Sequence, residues 1–235
     1  MLAVFKKELR GYFTGVIGYV YLVLFLAISA TVFCYTTLFS MSASVTGYFT
    51  YMLLLLGVML PLLTMKSFSE ERKTKTEQLL LTSPISITGM VIGKFLASYV
   101  IFSGALVLTS LYFLILYPYA ELKVAVLFGN MIALLLVGMV FITVGLFVSA
   151  LTENQLSAAV GSIGIILALL GVSLLSSLIP SSYFIRFVID SLSVFTRFQG
   201  FSNGYFDIAS IFYYLSVSAI FIYLTIRVYD RRRYS

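Results

Sequence analysis

Uncharged apolar runs long enough to cross a bilayer recur six times along the chain, near residues 16–38, 48–65, 95–117, 124–150, 157–179 and 208–226. A helix crossing about 30 Å of hydrocarbon needs roughly 20 apolar residues, and each run approaches or exceeds that length. Stretches such as VIFSGALVLTSLYFLIL are apolar on every face, whereas membrane β-strands alternate in segments of about ten residues. The pattern predicts an all-α membrane protein: six transmembrane helices in a single domain over residues 1–235. No small-residue cleavage pattern follows the first run, so it is expected to be a span and not a signal peptide.

Polar residues give the intervening segments distinct characters. In AVFKKELRGYF, Phe5, Leu9 and Phe13 recur at i, i+4 and i+8 while Lys6, Lys7 and Arg10 lie elsewhere. That spacing predicts an N-terminal interfacial helix over residues 1–14, although a disordered basic leader would carry the same charges. Between the second and third spans lies a cytoplasmic loop, residues 66–94. Six charges, Glu70, Glu71, Arg72, Lys73, Lys75 and Glu77, fall within residues 70–77 of this loop, and Lys94 closes it. The chain then turns apolar at Leu79, Leu80 and Leu81 and breaks at Ser83 and Pro84. Thr74 and Glu77 have capping-box spacing, which predicts a short helix over about residues 75–83 that stops before the proline. Three consecutive leucines on two helical turns need a cover. Either a soluble partner grips them or the loop packs on itself and on lipid.

In the turn LTENQLS between spans four and five, Thr152 and Gln155 also match a capping box, and Glu153 stands near a helix N-terminus where its charge is favoured. A role for Glu153 in coupling or proton handling is the alternative. Residues 180–207 mix Tyr183, Phe184, Phe187, Phe195, Phe198 and Phe201 with polar groups. The segment is too polar to span and too apolar for a free loop, so short outer helices are expected there, interfacial or re-entrant, before the sixth span. Phe184, Phe195 and Phe198 then form either an outer gate or an aromatic anchor.

Composition narrows the chemistry. The chain is 61% hydrophobic and 10% charged, with a mean hydropathy of +1.07. It has no histidine and one cysteine, Cys34, which removes the commonest general base, an intramolecular disulfide and any clustered thiolate site. A non-catalytic chain that binds no metal or cofactor of its own is therefore expected. No GxxxxGK[ST] phosphate loop is present, since GSIGIILALLG lacks the lysine. If both termini face the cytoplasm, twelve of the fifteen Lys and Arg residues lie inside and only Lys123, Arg186 and Arg197 lie outside. That asymmetry fits a multi-pass protein of the cell membrane and an even number of spans, and it leaves no groove for nucleic acid. The halves show no internal repeat, which argues against an inverted-repeat transporter. Gly57, Gly138, Gly145, Gly161, Gly164 and Gly171 are candidates for close helix contacts.

The run FSEERKTKTEQLLLTSPISITGMVIGKF resembles the cytoplasmic loop of permeases of the type 2 ABC exporter family. Those carry an acidic pair with a basic residue, a Thr-Glu-x-Leu-Leu core, a Ser-Pro break and a Gly-Lys entering the third span. Here Glu70, Glu71, Arg72, Thr76, Glu77, Leu79, Leu80, Ser83, Pro84, Gly93 and Lys94 occupy those places. Lys75 stands where many members have glycine. LTENQLSAAVGSIGIIL and the last 45 residues are similar to the branch that includes the gliding-motility and copper-reductase-maturation permeases. The resemblance touches nearly the whole chain. It implies a six-helix permease half, paired with a second permease chain as homodimer or heterodimer. It also implies two cytoplasmic ABC ATPase subunits that hold ATP and Mg, docked on residues 70–84, and leaves room for an accessory protein. The rival reading is an ATPase-driven scaffold that remodels other proteins without moving a solute. An intramembrane enzyme fails for want of histidine, a cysteine pair and intramembrane carboxylates.

Overall fold

In hydrocarbon every backbone N–H and C=O must be satisfied internally, so each apolar run closes its own helical ladder. The computed structural model describes residues 1–40, 45–78, 86–116, 124–178, 190–202 and 207–234. The helices are α1 (Leu2–Thr14), α2 (Val16–Phe33) continued by a π-helical turn (Cys34–Phe39), α3 (Val45–Thr64), α4 (Lys66–Lys73), α5 (Ile87–Thr109), α6 (Leu111–Leu116), α7 (Val124–Leu151), α8 (Gln155–Leu178), α9 (Val194–Ser202) and α10 (Ile208–Tyr234). Among the described residues there is no strand. Six helical stretches are long and apolar enough to cross a membrane: Val16–Phe39, Val45–Lys73, Ile87–Leu116, Val124–Leu151, Gln155–Leu174 and Ile208–Arg233. The protein is therefore an all-α, six-span membrane protein, as the apolar runs predict.

Two helices form the centre. The apolar windows of the second and fourth spans are 61% and 67% buried, against 22–33% for the other four. On α7 the buried residues Leu134, Val137, Val140, Ile142, Thr143 and Leu146 are spread around most of the circumference, so this helix is enclosed by neighbours on nearly all sides. The outer helices keep broad apolar faces, as lipid exposure or a second chain requires.

The boundaries of the second and third spans differ from expectation. Charges at Lys66 and Lys94 mark loop limits in the sequence, yet the second helical stretch runs on to Lys73 and α5 begins at Ile87. Lys94 thus lies two turns inside a helix, where paired carboxylates make its burial tolerable. Of the expected helix over 75–83, only residues 77–78 are described as helical, and residues 79–85 lie outside the described residues. On α1, Phe5 and Leu9 are half-buried. Val4 is buried and Glu8 and Tyr12 are half-buried on one side, while Phe13 is exposed. At the other end of the bundle, α9 buries Val194, Phe198 and Phe201 completely, so these two rings pack among helices.

Of the six glycines singled out, four approach a neighbour. A Cβ on Gly57 would lie 3.3 Å from Ile166, on Gly161 3.1 Å from Val148, on Gly138 2.1 Å from the Phe102 ring, and on Gly145 2.1 Å from Thr64 Oγ1. Gly164 and Gly171 have open space. Thr64 is buried and donates its hydroxyl to Leu60 O at 3.0 Å, so it has little freedom to yield. Gly145→Ala is therefore expected to destabilise by about 1–3 kcal/mol through overpacking, lowering the unfolding midpoint in detergent, while Gly171→Ala is expected to leave the midpoint unchanged or slightly raised.

Candidate functional site

Lys94 is 2% exposed and sits in the second turn of α5. Its ammonium donates to Glu71 Oε1 at 2.8 Å, Glu8 Oε1 at 3.0 Å and the Ser67 carbonyl oxygen at 2.6 Å. The three protons an ammonium carries are thereby all used, and the charge lies 5.0 Å from the centroid of the Phe68 ring. An unpaired buried ammonium would cost several kcal/mol. Here the cost is offset by two carboxylates and a carbonyl, and the arrangement ties α1, α4 and α5 together at one atom. Tyr12, one turn beyond Glu8, adds a second link by donating to Leu63 O at 3.2 Å, with its oxygen also 3.2 Å from Ser98 Oγ. Lys7 lies 4.0 Å from Glu71 at the rim.

The other side of α4 is fixed to the end of α7. The last four carbonyls of a helix have no partner within it. Three of those on α7 are taken: Arg232 Nη2 donates to Ala150 O at 2.7 Å, Arg72 Nη1 to Leu151 O at 2.9 Å, and the Thr152 N–H to Val148 O at 3.2 Å. Cations suit the negative end of a helix dipole. Arg72 also pairs with Glu153 at 2.8 Å, and Arg232 pairs with Glu77 at 3.1 Å while its guanidinium lies 5.3 Å from the centroid of the Tyr229 ring. Tyr229 in turn packs on Phe68, centroids 4.9 Å apart. At the start of α4, Ser149 Oγ accepts the N–H groups of Phe68 and Ser69, both at 3.1 Å, and donates to Met65 O at 3.1 Å.

The expected docking residues are thus placed unevenly. Glu71, Arg72 and Glu77 sit in the two ion clusters, and Glu70 pairs with Lys66 at 3.7 Å. The Thr76 hydroxyl lies 3.3 Å from Glu71 O. Leu79, Leu80, Leu81, Ser83 and Pro84 fall outside the described residues, as does Phe184. Neither expected capping box forms. Thr74 turns back to donate to Glu70 O at 2.8 Å and closes α4; Thr152 does the same to Val148 O at 3.1 Å. The N-terminus of α8 is capped instead by Asn154, whose Oδ1 accepts the Leu156 N–H at 3.1 Å. Asparagine caps as well as threonine, and its use there frees Glu153 to reach Arg72. Lys75 has φ 57°, the left-handed conformation that glycine would adopt without strain, in keeping with the glycine expected at that place.

Glu8, Ser149, Asn154 and Arg232 are members of this assembly that the sequence reading did not single out. Arg232 belonged to a terminal basic cluster whose only legible meaning was orientation. At the far end, Phe195 is half-buried and Phe198 fully buried. Arg197 joins this segment to α10: its Nε donates to Ser191 O at 2.8 Å and its guanidinium lies 4.5 Å from the centroid of the Tyr213 ring. Asp207, just before α10, accepts the Ser210 hydroxyl at 2.6 Å, a bond that with the Ala209 N–H holds its carboxyl below the usual range. Two clefts flank α4. One of about 340 Å³ lies against α1 and includes Lys7, Lys66 and Glu70; one of about 430 Å³ includes Lys73, Lys75, Glu153 and Arg232. Among the described residues no group of three or more His, Cys, Asp or Glu side chains is gathered to hold a metal. The arrangement is a joint of helix ends held by ion pairs and hydrogen bonds.

The model of one protein family, described as ABC-2 family transporter protein, matches residues 2–232. No curated protein matches the chain.

Two outcomes follow from the ion cluster and the turn. Lys94→Met leaves Glu8 and Glu71 facing each other half-buried, and is expected to cost about 3 kcal/mol, read as a lower unfolding midpoint in detergent; Lys94→Met with Glu71→Gln should recover part of that loss. At the turn, Lys75→Gly is expected to be at least as stable as the parent and Lys75→Val less stable by about 1 kcal/mol, because a β-branched side chain tolerates positive φ poorly.

Proposed function

The chain belongs to the ABC-2 transporter family and is a multi-pass membrane permease subunit of an ABC transporter; we propose that it couples ATP hydrolysis in a separate subunit to export across the cell membrane. The observation that carries the reading is the joint itself. Residues 66–78, the described part of the loop expected to meet the partner, are tied to α1 and α5 through the buried Lys94 and to the end of α7 and to α10 through Arg72 and Arg232. A force on a free loop would be lost in the loop; a force on α4 reaches four helices. In this proposal two ATPase subunits hold the ATP and Mg, a second permease chain completes the pathway, and both termini are cytoplasmic. The substrate side rests on the resemblance to the gliding-motility and copper-reductase-maturation branch, which names no solute for this chain. The aromatic α9 is read as the closure of the opposite end at rest.

Partner docking is tested at the apolar residues that follow Glu77. Leu79→Asp or Leu80→Asp should cost the interface about 2 kcal/mol or more, a loss of roughly 30-fold in affinity, so the ATPase no longer co-purifies from detergent while the permease remains in the membrane. Undiminished recovery with both variants would remove the docking claim. Orientation is tested separately in a Cys34→Ser background. Lys75→Cys should resist an impermeant thiol reagent on intact cells and Glu121→Cys should react; labelling at position 75 from outside would overturn the topology.

A further inference from the structure

We infer that Ser149 is a positioning residue for coupling: its hydroxyl bridges the junction between α3 and α4 and makes α4 move with α7, so that displacement of the docking segment reaches α7. The inference rests on the coupling reading above and assigns its path to one side chain.

The first four N–H groups of a helix have no partner within it, and Met65, which precedes α4, offers no side-chain cap. Phe68 and Ser69 are both fully buried, so water is not there to replace one. The missing cap is supplied from 80 residues away in sequence. Ser149 Oγ accepts both N–H groups at 3.1 Å and donates its own proton to Met65 O at 3.1 Å, which uses both lone pairs and the single donor of a hydroxyl. Its access depends on Gly145, one turn earlier on α7, where any Cβ would meet Thr64. Pro61, in the last turn of α3, has no N–H to give its ladder, while its carbonyl accepts the Met65 N–H at 2.8 Å. Lys94 holds the same short stretch from α5 through Ser67 O at 2.6 Å, and Arg72 holds its far end to the α7 terminus. Helix α4 is therefore fastened to α7 at both ends, and the junction at Met65 is left as the place where the angle to α3 can change.

The test uses the complex of the full chain with its partner ATPase in proteoliposomes, in the Cys34→Ser background. Spin labels are placed on exposed residues, at Tyr35→Cys on the turn after α2 and at Phe128→Cys near the start of α7. The parent is expected to show a change in label separation between the nucleotide-free and ATP-vanadate-trapped states. Threonine and valine differ at position 149 only in the hydroxyl. Ser149→Thr should keep the shift, and Ser149→Val should lose it while basal ATP hydrolysis and ATPase recovery stay at the parent level. A shift retained in Ser149→Val, or lost equally in Ser149→Thr, overturns the assignment alone. No shift in the parent overturns the coupling reading and the inference with it. Hydrogen exchange on the unsubstituted chain needs no variant to fold: the amides of residues 68 and 69 should exchange as slowly as those in the middle of α7 in both states, and fast exchange there would overturn the inference directly.

Discussion

One buried ammonium sets the terms for the rest of the structure. Lys94 can lie inside α5 only because Glu8, Glu71 and the Ser67 carbonyl surround its charge, and those groups come from two other helices. Burying an ion forces its partners to be present, in place and together. The folding of the charged end is thereby made conditional on α1, α4 and α5 being assembled at once. This is a stronger constraint than apolar contact, which in lipid discriminates poorly between one helix face and another.

From that point the structure is a sequence of satisfied helix ends. The terminal carbonyls of α7 are taken by guanidinium groups from α4 and α10, and the opening N–H groups of α4 are taken by a hydroxyl on α7. Each bond crosses between elements and so serves both to complete a backbone ladder and to fix an angle. Because α3 and α7 are also the most enclosed spans, the bonds that leave α4 for α7 end at the centre of the bundle. The coupling proposed above needs such a path, since it requires two packings that a partner can favour in turn.

The six spans were legible in the sequence because length and hydropathy alone specify a membrane helix. Their limits were less legible. Lys66 and Lys94 read as loop residues since a lone charge ends a span; whether a charge is alone depends on residues such as Glu8, 86 positions away, that no local window contains. Both threonine capping boxes matched by spacing and failed in place, because a threonine after a helix can equally bond back to the preceding turn, and Asn154 was nearer. Lys75 was visible as a departure from the expected glycine, and its positive φ gives that departure a physical meaning. Ser149 carried no signal at all. A serine in an apolar helix is ordinary, and only the three-dimensional approach at Gly145 shows what it caps.

The central claim is that α4, α1, α5 and the end of α7 form one body on which the partner acts. Electron cryo-microscopy of the ATPase complex in lipid nanodiscs, nucleotide-free and nucleotide-trapped, measures this most directly. The account predicts that Lys94 stays within hydrogen-bonding distance of Glu8 and Glu71 in both states while the angle between α3 and α4 changes at Met65. Separation of Lys94 from these carboxylates between the two states, with α3 and α4 keeping a fixed angle, would contradict it.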